Sequence, residues 1–333
     1  MSQEITNSQC PACQSTKINT IDRLRAGDAI SLYRRAINLD VSQYFDGVPA
    51  IALNQCATCD LRFYFPPCPG DGPFYEQLQQ FDWYYQEEKA EYELASRYVS
   101  DGNSVLEVGC GDGAFRSWLP EAVDYIGLEI NEDAVTAGQA RGLQVIRQPV
   151  EEHVATTSRR YDFVCAFQVL EHIPNPAGFV DACVRALAPQ GKLIFAVPAE
   201  DGFMGVGANH FLNMPPHHAL RWSDRALRCL ADRHGLEAIE IWHEPVAANH
   251  RELHANVLAR YYFAALGLKP IRLIEKRWTD RMLRALLRLK PLRNACAARA
   301  MASDIRFAHG HTVALIATPR EAACAGDIAG APR

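Results

Sequence analysis

Glu107 is followed by glycines at alternate positions, Gly109, Gly111 and Gly113, in the run Val105-Leu-Glu-Val-Gly-Cys-Gly-Asp-Gly-Ala-Phe. A short apolar strand that ends in a carboxylate and bends through residues without side chains leaves backbone open to a ligand. N–H groups at the start of a following helix could hold the ligand's negative end. A second carboxylate, Glu129, ends the next apolar stretch, Tyr125-Ile-Gly-Leu-Glu, where it could accept hydrogen bonds from both hydroxyls of a ribose. The pattern suits a nucleotide-type cofactor. Its spacing, Glu-x-Gly-x-Gly-x-Gly, departs from the dinucleotide spacing Gly-x-Gly-x-x-Gly. An acid at the strand end is unfavourable beside a pyrophosphate and favourable beside an ammonium and a sulfonium. S-adenosylmethionine carries both of those groups.

Two further sets of residues could do chemistry. Cys10-Pro-Ala-Cys13 and Cys56-Ala-Thr-Cys59 are each shaped as a metal knuckle, and together they supply four thiolates. Four thiolates suit tetrahedral zinc with no open position, which argues for structure and not for catalysis. The competing reading is two unrelated pairs of free thiols. The second set is histidines. His210-Phe-Leu-Asn-Met-Pro-Pro-His217-His218 lies in a long loop, residues 198–221, that also holds Gly202, Gly205 and Gly207. Loops that leave the carboxyl end of an open α/β sheet are where such folds bind ligands. His217 and His218 are the candidate catalytic residues, because removing a proton from a hydroxyl or carbon nucleophile falls to histidine near neutral pH. Capping and local hydrogen bonding are the alternative for this pair. His210 is a weaker candidate, and His172 in Glu171-His-Ile-Pro is expected chiefly to position its loop.

The elements that must position these residues alternate. Strands are expected near 104–109, 124–129, 143–147, 161–167, 191–197 and 236–243. Helices are expected near 113–119, 131–141, 176–188 and 223–234. Such alternation implies a parallel sheet covered by helices on both faces. His311-Thr-Val-Ala-Leu-Ile-Ala reads as a last strand.

At this point the chain resembles a known family, the class I S-adenosylmethionine-dependent methyltransferases. The resemblance rests on Val105-Leu-Glu-Val-Gly-Cys-Gly-Asp-Gly, Tyr125-Ile-Gly-Leu-Glu-Ile, Tyr161-Asp-Phe-Val, Gln168-Val-Leu-Glu-His-Ile-Pro-Asn-Pro and Ala188-Pro-Gln-Gly-Lys-Leu-Ile-Phe-Ala-Val-Pro. It implies a seven-stranded, doubly wound α/β sheet whose last strand is inserted antiparallel. It also implies that Glu107, Gly109, Cys110, Gly111, Asp112 and Gly113 surround the methionine part of the cofactor, that Glu129 takes the ribose, and that Gln168 lines the site. Gln148 stands where the family often has an acid facing the adenine. A zinc-knuckle unit ahead of such a core resembles the subset that methylates sugars, nucleotide-sugars and glycan precursors. In that subset an aromatic segment often precedes the core, here Phe81-Asp-Trp-Tyr-Tyr. Tyr84 or Tyr85 could cover the cofactor, or the segment could pack its aromatics on the core.

The expected organisation is a zinc-binding unit over 1–73 and a helical connector over 74–100. A cofactor-binding core over 101–248 and 309–319 is interrupted by a basic helical insertion over 249–308, and a tail over 320–333 is expected to be disordered. The chain has 333 residues, of which 48% are hydrophobic, enough for a well-buried core. Eleven cysteines would be unusual as disulfides in a reducing compartment, and four of them pair as knuckles. The polar N-terminus lacks the pattern of a secretory signal, so a cytoplasmic protein is expected. Net charge is −5 overall; residues 1–100 carry −5 while residues 269–299 carry +8. That basic stretch repeats Leu and Arg at helical spacing beside Trp278. It could lie on the inner face of an anionic membrane, or pack its apolar side on the core. The expected acceptor is a small molecule or glycan precursor, with no nucleic acid. An RNA methyltransferase with a zinc domain would need a basic N-terminal unit to meet phosphates. A non-catalytic cofactor-binding scaffold is the remaining alternative.

Overall fold

The computed structural model describes residues 9–81, 88–267, 272–276 and 278–320. Strand β1 (Ile18–Arg25), helix α1 (Ala26–Ile37), β2 (Ala50–Cys56), β3 (Arg62–Phe65) and α2 (Gly72–Gln79) come first, and α3 (Ala90–Ser96) leads into the core. There follow β4 (Ser104–Val108), β5 (Asp124–Glu129), α4 (Glu132–Ala140), β6 (Val145–Arg147), α5 (Val150–Thr156), β7 (Tyr161–Phe167) and α6 (Pro176–Ala186). Then come β8 (Leu187–Pro198), β9 (Leu220–Arg221), α7 (Asp224–Arg233) and β10 (Leu236–Pro245). Helices α8 (Arg251–Leu266), α9 (Trp278–Leu286) and α10 (Lys290–Ser303) precede the last strand, β11 (His309–Pro319).

Seven strands form one sheet in the order β10-β11-β8-β7-β4-β5-β6. β11 runs antiparallel to both neighbours. The other pairings are parallel. This is the seven-stranded sheet with an antiparallel last strand that the resemblance implied. From β4 the chain winds outward through β5 and β6, then returns to the other side of β4 for β7 and β8. The carboxyl ends of β4 and β7 therefore border the switch point, where such sheets bind ligands. Val105, Leu106, Val164, Cys165, Ile194 and Phe195 of the central strands have no exposed surface, as expected for parallel strands covered on both faces. Side chains of Asn131 and Ser223 cap α4 and α7, and Pro176 occupies the first turn of α6.

Two elements differ from the expectation. The helix foreseen at 113–119 is a single 3-10 stretch, Ala114–Trp118. Gly113 enters it at φ 81°, and Leu119 is extended because Pro120 follows, so no longer helix fits between them. The short helix α5 was not foreseen.

A second sheet of four antiparallel strands has the order β1-β2-β3-β9. Its fourth strand comes from the loop after β8, with Arg62 opposite Arg221 and Phe63 opposite Leu220. The N-terminal unit is thus completed by residues far along the chain. Glu200, at the start of that loop, is buried and accepts a 2.7 Å hydrogen bond from Nε of Arg221 at its end. Arg62 of β3 bonds the same carboxylate. A buried ion pair with both partners present costs little, whereas removing one partner is expensive. The loop carrying His210, His217 and His218 is therefore clamped at its two ends against β3. Among the described residues, no helix is long and apolar enough to cross a membrane.

Candidate functional site

The glycine bend adopts the backbone its sequence demands. Gly109, Gly111 and Gly113 have φ values of 73°, 56° and 81°, all left-handed. A Cβ on Gly109 would lie 2.5 Å from Cγ2 of Val169, in the loop after β7, and one on Gly113 would lie 2.5 Å from Cδ1 of Leu143. The bend is closed by its own hydrogen bonds. N–H groups of Gly109 and Cys110 donate to the carbonyl of Leu128 at 2.8 and 3.1 Å, and that of Gly113 donates to Cys110. A 3-10 stretch and not a full helix follows the bend, and the N–H groups of Gly109, Cys110 and Gly113 are committed to the bend itself.

Glu129 is the clasp. Its Oε2 accepts the N–H of Gly111 at 2.9 Å, while Oε1 accepts those of Ile130 and Asn131 at 2.7 and 2.9 Å. A carboxylate has about four acceptor positions, so the group holding the bend can still receive a ligand hydroxyl. Glu107 is 1% exposed and accepts a hydrogen bond from the Tyr125 hydroxyl. Burial pushes its carboxyl up to about 8, against the opposing hydrogen bond from Tyr125.

The neighbours of these residues divide. Cys110 turns inward beneath the bend against Val135 and Val145, so it offers only backbone to a ligand, and burial raises its thiol. Asp112 turns outward and pairs with Arg141 at 2.9 Å. Gln148 follows β6 and bonds Nδ1 of His153 at 2.6 Å, and Nε2 of His153 meets the Tyr161 hydroxyl at 2.8 Å. Gln168 follows β7 in the left-handed region at φ 57°. Its amide donates to Glu91 at 3.1 Å and to Thr312 at 3.4 Å. Tyr84 and Tyr85 lie outside the described residues.

His172, His217 and His218 come together from the two loops after β7 and β8. One ring nitrogen of each lies within 4.8 Å of the others. Ring centroids are 4.7 Å apart for His172–His217, 5.1 Å for His172–His218 and 4.5 Å for the stacked His217–His218. Tyr75 and Phe74 of α2 pack against this group. Burial holds His172 down at about 4 and keeps His217 and His218 well below the usual imidazole range. All three are therefore neutral near pH 7, and their basicity is weak for direct proton abstraction. His210 is half-buried, held at about 4 by burial and by Arg221, and stands outside the cluster. Glu171 is 1% exposed, with Oε1 3.8 Å from Nε2 of His172, and burial raises it to about 8.

Sequence reasoning missed Glu91, Glu171, Tyr125 and Thr312. Glu91 sits in a stretch that reads as a solvated charged face, yet it is 4% exposed and bonds Gln168. Only the buried rhythm of Tyr92, Leu94 and Ala95 beside it could have marked that helix as packed.

The four knuckle cysteines also meet. Their sulfurs all lie within 4.8 Å of one another, with Cys10–Cys59 at 3.6 Å and Cys13–Cys56 at 3.5 Å. Four thiolates at about 2.3 Å from one zinc ion would stand ~3.8 Å apart, while a disulfide needs about 2.05 Å. Both knuckles share one backbone form: Gln14 N–H bonds the Cys10 carbonyl and Asp60 N–H bonds the Cys56 carbonyl, each at 2.9 Å. Gln14 and Asp60 both lie in the left-handed region, at φ 60° and 71°. A hydrogen bond from Cys59 lowers Cys10 to about 6, while burial pushes Cys13 up to about 12. Four negative sulfurs cannot coexist there alone, and a divalent cation is the partner the donor set fits.

Residues 81–241 match the family described as "Methyltransferase domain". A "Ubiquinone biosynthesis O-methyltransferase" from Salmonella paratyphi A (strain ATCC 9150 / SARB42) is 32% identical over 126 residues, which cover 34% of this chain and 52% of that protein. The chain spans about half the length of the curated relatives it matches. Among solved structures, a SAM dependent methyltransferase from Archaeoglobus fulgidus is 17% identical at a TM-score of 0.48, covering 73% of this chain and 99% of that one. A SAM-dependent methyltransferase from Geobacter sulfurreducens, solved with S-adenosyl-L-homocysteine, is 15% identical at a TM-score of 0.43, covering 76% and 99%.

Proposed function

We infer that this chain, which carries a methyltransferase domain on a class I sheet, transfers the methyl group of S-adenosylmethionine to a sugar, nucleotide-sugar or glycan precursor. The observation that carries the reading is the pair of carboxylates, Glu107 and Glu129, at the carboxyl ends of β4 and β5 around a left-handed glycine bend. In this reading Glu129 takes a ribose hydroxyl, Glu107 faces the cationic methionine end, and Gln148 and Gln168 border the crevice. The acceptor attacks the methyl carbon in line, the new bond forms as the carbon–sulfur bond breaks, the electron pair stays on sulfur, and the acceptor's proton leaves to solvent. Holding the acceptor at near-attack distance supplies much of the acceleration. The hydroxyl-rich acceptor is supported by the polar side chains of His172, His217, His218 and Glu171, which the loops after β7 and β8 bring together. The net charge of −5 over residues 1–100 disfavours RNA. Zinc on Cys10, Cys13, Cys56 and Cys59 has a structural role.

The test is incubation with methyl-labelled cofactor and a panel of nucleotide-sugars, alongside a phenol, included because the curated relatives are named for O-methylation in ubiquinone biosynthesis. Label in a sugar supports the proposal. Label in the phenol alone overturns the sugar acceptor, and failure to bind S-adenosylhomocysteine overturns the methyltransferase reading altogether.

Glu107 makes cofactor binding pH-dependent. With its carboxyl at about 8, the site without ligand carries a proton at neutral pH. A bound ammonium and sulfonium favour the carboxylate and lower that value, so binding expels a proton. Affinity for S-adenosylhomocysteine, which keeps the ammonium, therefore rises with pH from the lowered value up to about 8 and levels off above it. Calorimetry at neutral pH in two buffers of different ionisation enthalpy measures the released proton. Equal heats in both buffers would contradict the placement of Glu107.

The basic insertion supports contact with an anionic membrane surface. Trp278, Met282 and Leu286 recur at a helical spacing of four and are 69%, 62% and 45% exposed. Leu283 and Leu287 of the same stretch pack inward against Ala259 and Cys296. The helix α9 thus has a packed apolar side and a bare one, flanked by Arg281, Arg284 and Arg288. Sedimentation with vesicles containing phosphatidylglycerol is expected to pull down the protein at low salt and to lose it at high salt. Binding that survives Trp278→Glu with Met282→Glu would count against this surface.

A further inference from the structure

We propose that His172, His217 and His218 form a second metal centre that holds one divalent transition-metal ion. A ring nitrogen of each histidine already lies within 4.8 Å of the other two. Imidazole nitrogens bound at ~2.0–2.1 Å to one tetrahedral ion stand about 3.3 Å apart, so the cluster needs only a modest inward closure. The hydrogen bonds set the right tautomers. Nδ1–H of His172 donates to the His217 carbonyl at 2.6 Å, and that of His217 donates to the Leu212 carbonyl at 2.8 Å. Nδ1 of His218 lies 3.2 Å from the amide oxygen of Asn213. In each neutral ring the lone pair then sits on Nε2. Histidines that ligate metals are held in this way, with the other nitrogen donating to a carbonyl or amide oxygen.

A second observation is independent of the rings. Oε2 of Glu171 is buried without a hydrogen-bond partner, while Oε1 of the same group lies 3.8 Å from Nε2 of His172. A buried carboxyl oxygen without a partner is costly, and a bound ion or its water would satisfy it. The backbone is pre-set as well, since the N–H groups of His217 and His218 both bond the carbonyl of Met214, at 3.1 and 3.2 Å. Imidazole donors favour zinc, cobalt, nickel, copper or iron over the hard cations, and they differ from the four-thiolate set of the knuckles. Three protein ligands leave a coordination position open, as in catalytic and not structural centres. Val169 packs against Gly109 three residues before His172, so the centre adjoins the glycine bend. Resting on the methyltransferase reading, the open position is for an oxygen of the acceptor, which selects a hydroxyl-bearing substrate.

The test titrates the full chain, its knuckles first filled with zinc, with Co²⁺. One further equivalent is expected to bind, with visible d–d absorption and no thiolate charge-transfer band. His218→Gln and His172→Gln are each expected to abolish this uptake while zinc content and S-adenosylhomocysteine binding persist. If a variant does not fold, Cu²⁺ on the unaltered protein decides, because its resonance spectrum must show splitting from several imidazole nitrogens. Uptake with thiolate bands only, uptake unchanged in the variants, or a copper spectrum without nitrogen splitting overturns the centre. Cobalt binding without S-adenosylhomocysteine binding would defeat the methyltransferase reading and leave the centre standing. S-adenosylhomocysteine binding without cobalt would do the reverse.

Discussion

Replacing Glu129 by alanine lowers the affinity for S-adenosylhomocysteine by at least tenfold and toward a hundredfold. The carboxylate has two tasks. It accepts three backbone N–H groups, those of Gly111, Ile130 and Asn131, and so fixes the glycine bend to the end of β5. It is also the acceptor placed to meet a ribose. Hydrogen bonds to a charged group contribute about 1.5–3 kcal/mol each, so losing the ligand's share alone corresponds to roughly one to two factors of ten. Glu129→Gln separates the tasks. It keeps an acceptor oxygen for the bend and loses the charge, so its affinity should fall between the two. Calorimetric titration measures all three proteins, and thermal denaturation shows whether the fold persists. An alanine variant that folds and binds as tightly as the parent would remove Glu129 from the cofactor site.

The second large effect concerns the knuckles. The purified chain is expected to carry one zinc ion on its four knuckle cysteines, and Cys56→Ser is expected to lose that ion and to melt about 10 °C lower. In isolated zinc peptides the ion supplies about 10–16 kcal/mol of folding free energy. Here most of that free energy compensates for bringing four thiolates together, and the sheet retains its strand pairings and apolar core. A net loss of about 3–4 kcal/mol corresponds to ~10 °C at roughly 2–4 °C per kcal/mol for chains of this order of size. The damage should spread. Cys56 ends β2, which pairs with β3, which pairs with β9, and β9 closes the loop carrying His217 and His218. Methyl transfer is thus expected to fall along with stability, although no cysteine ligand takes part in the reaction. Metal analysis and thermal denaturation of the variant decide the point. A full complement of zinc in Cys56→Ser would rule out the four-cysteine site.

The bend, the two carboxylates and the two knuckles were legible in the chain because each is a local property. Left-handed φ values at Gly109, Gly111 and Gly113 follow from residue type within one strand-to-turn segment. The matching backbone turns at Cys10–Gln14 and Cys56–Asp60 likewise need only neighbours in sequence. The antiparallel last strand was legible through motif resemblance, since alternation alone implies only a parallel sheet. Side-chain direction was not legible. Cys110 and Asp112 stand two residues apart in the bend, yet one is buried against Val135 and the other pairs with Arg141 on the surface. Glu91, one of a run of charged residues in the sequence, is a buried partner of Gln168 because α3 packs its side chain inward. Nor did spacing disclose that Leu220 and Arg221 complete the N-terminal sheet, or that His172 meets His217 and His218 from a different loop. By itself the sequence determined where a cofactor-shaped bend and two cysteine turns must form, since backbone preference acts over a few residues. Only the tertiary structure decided which polar groups face one another across the crevice, since that depends on where distant elements leave room and on which buried groups find partners.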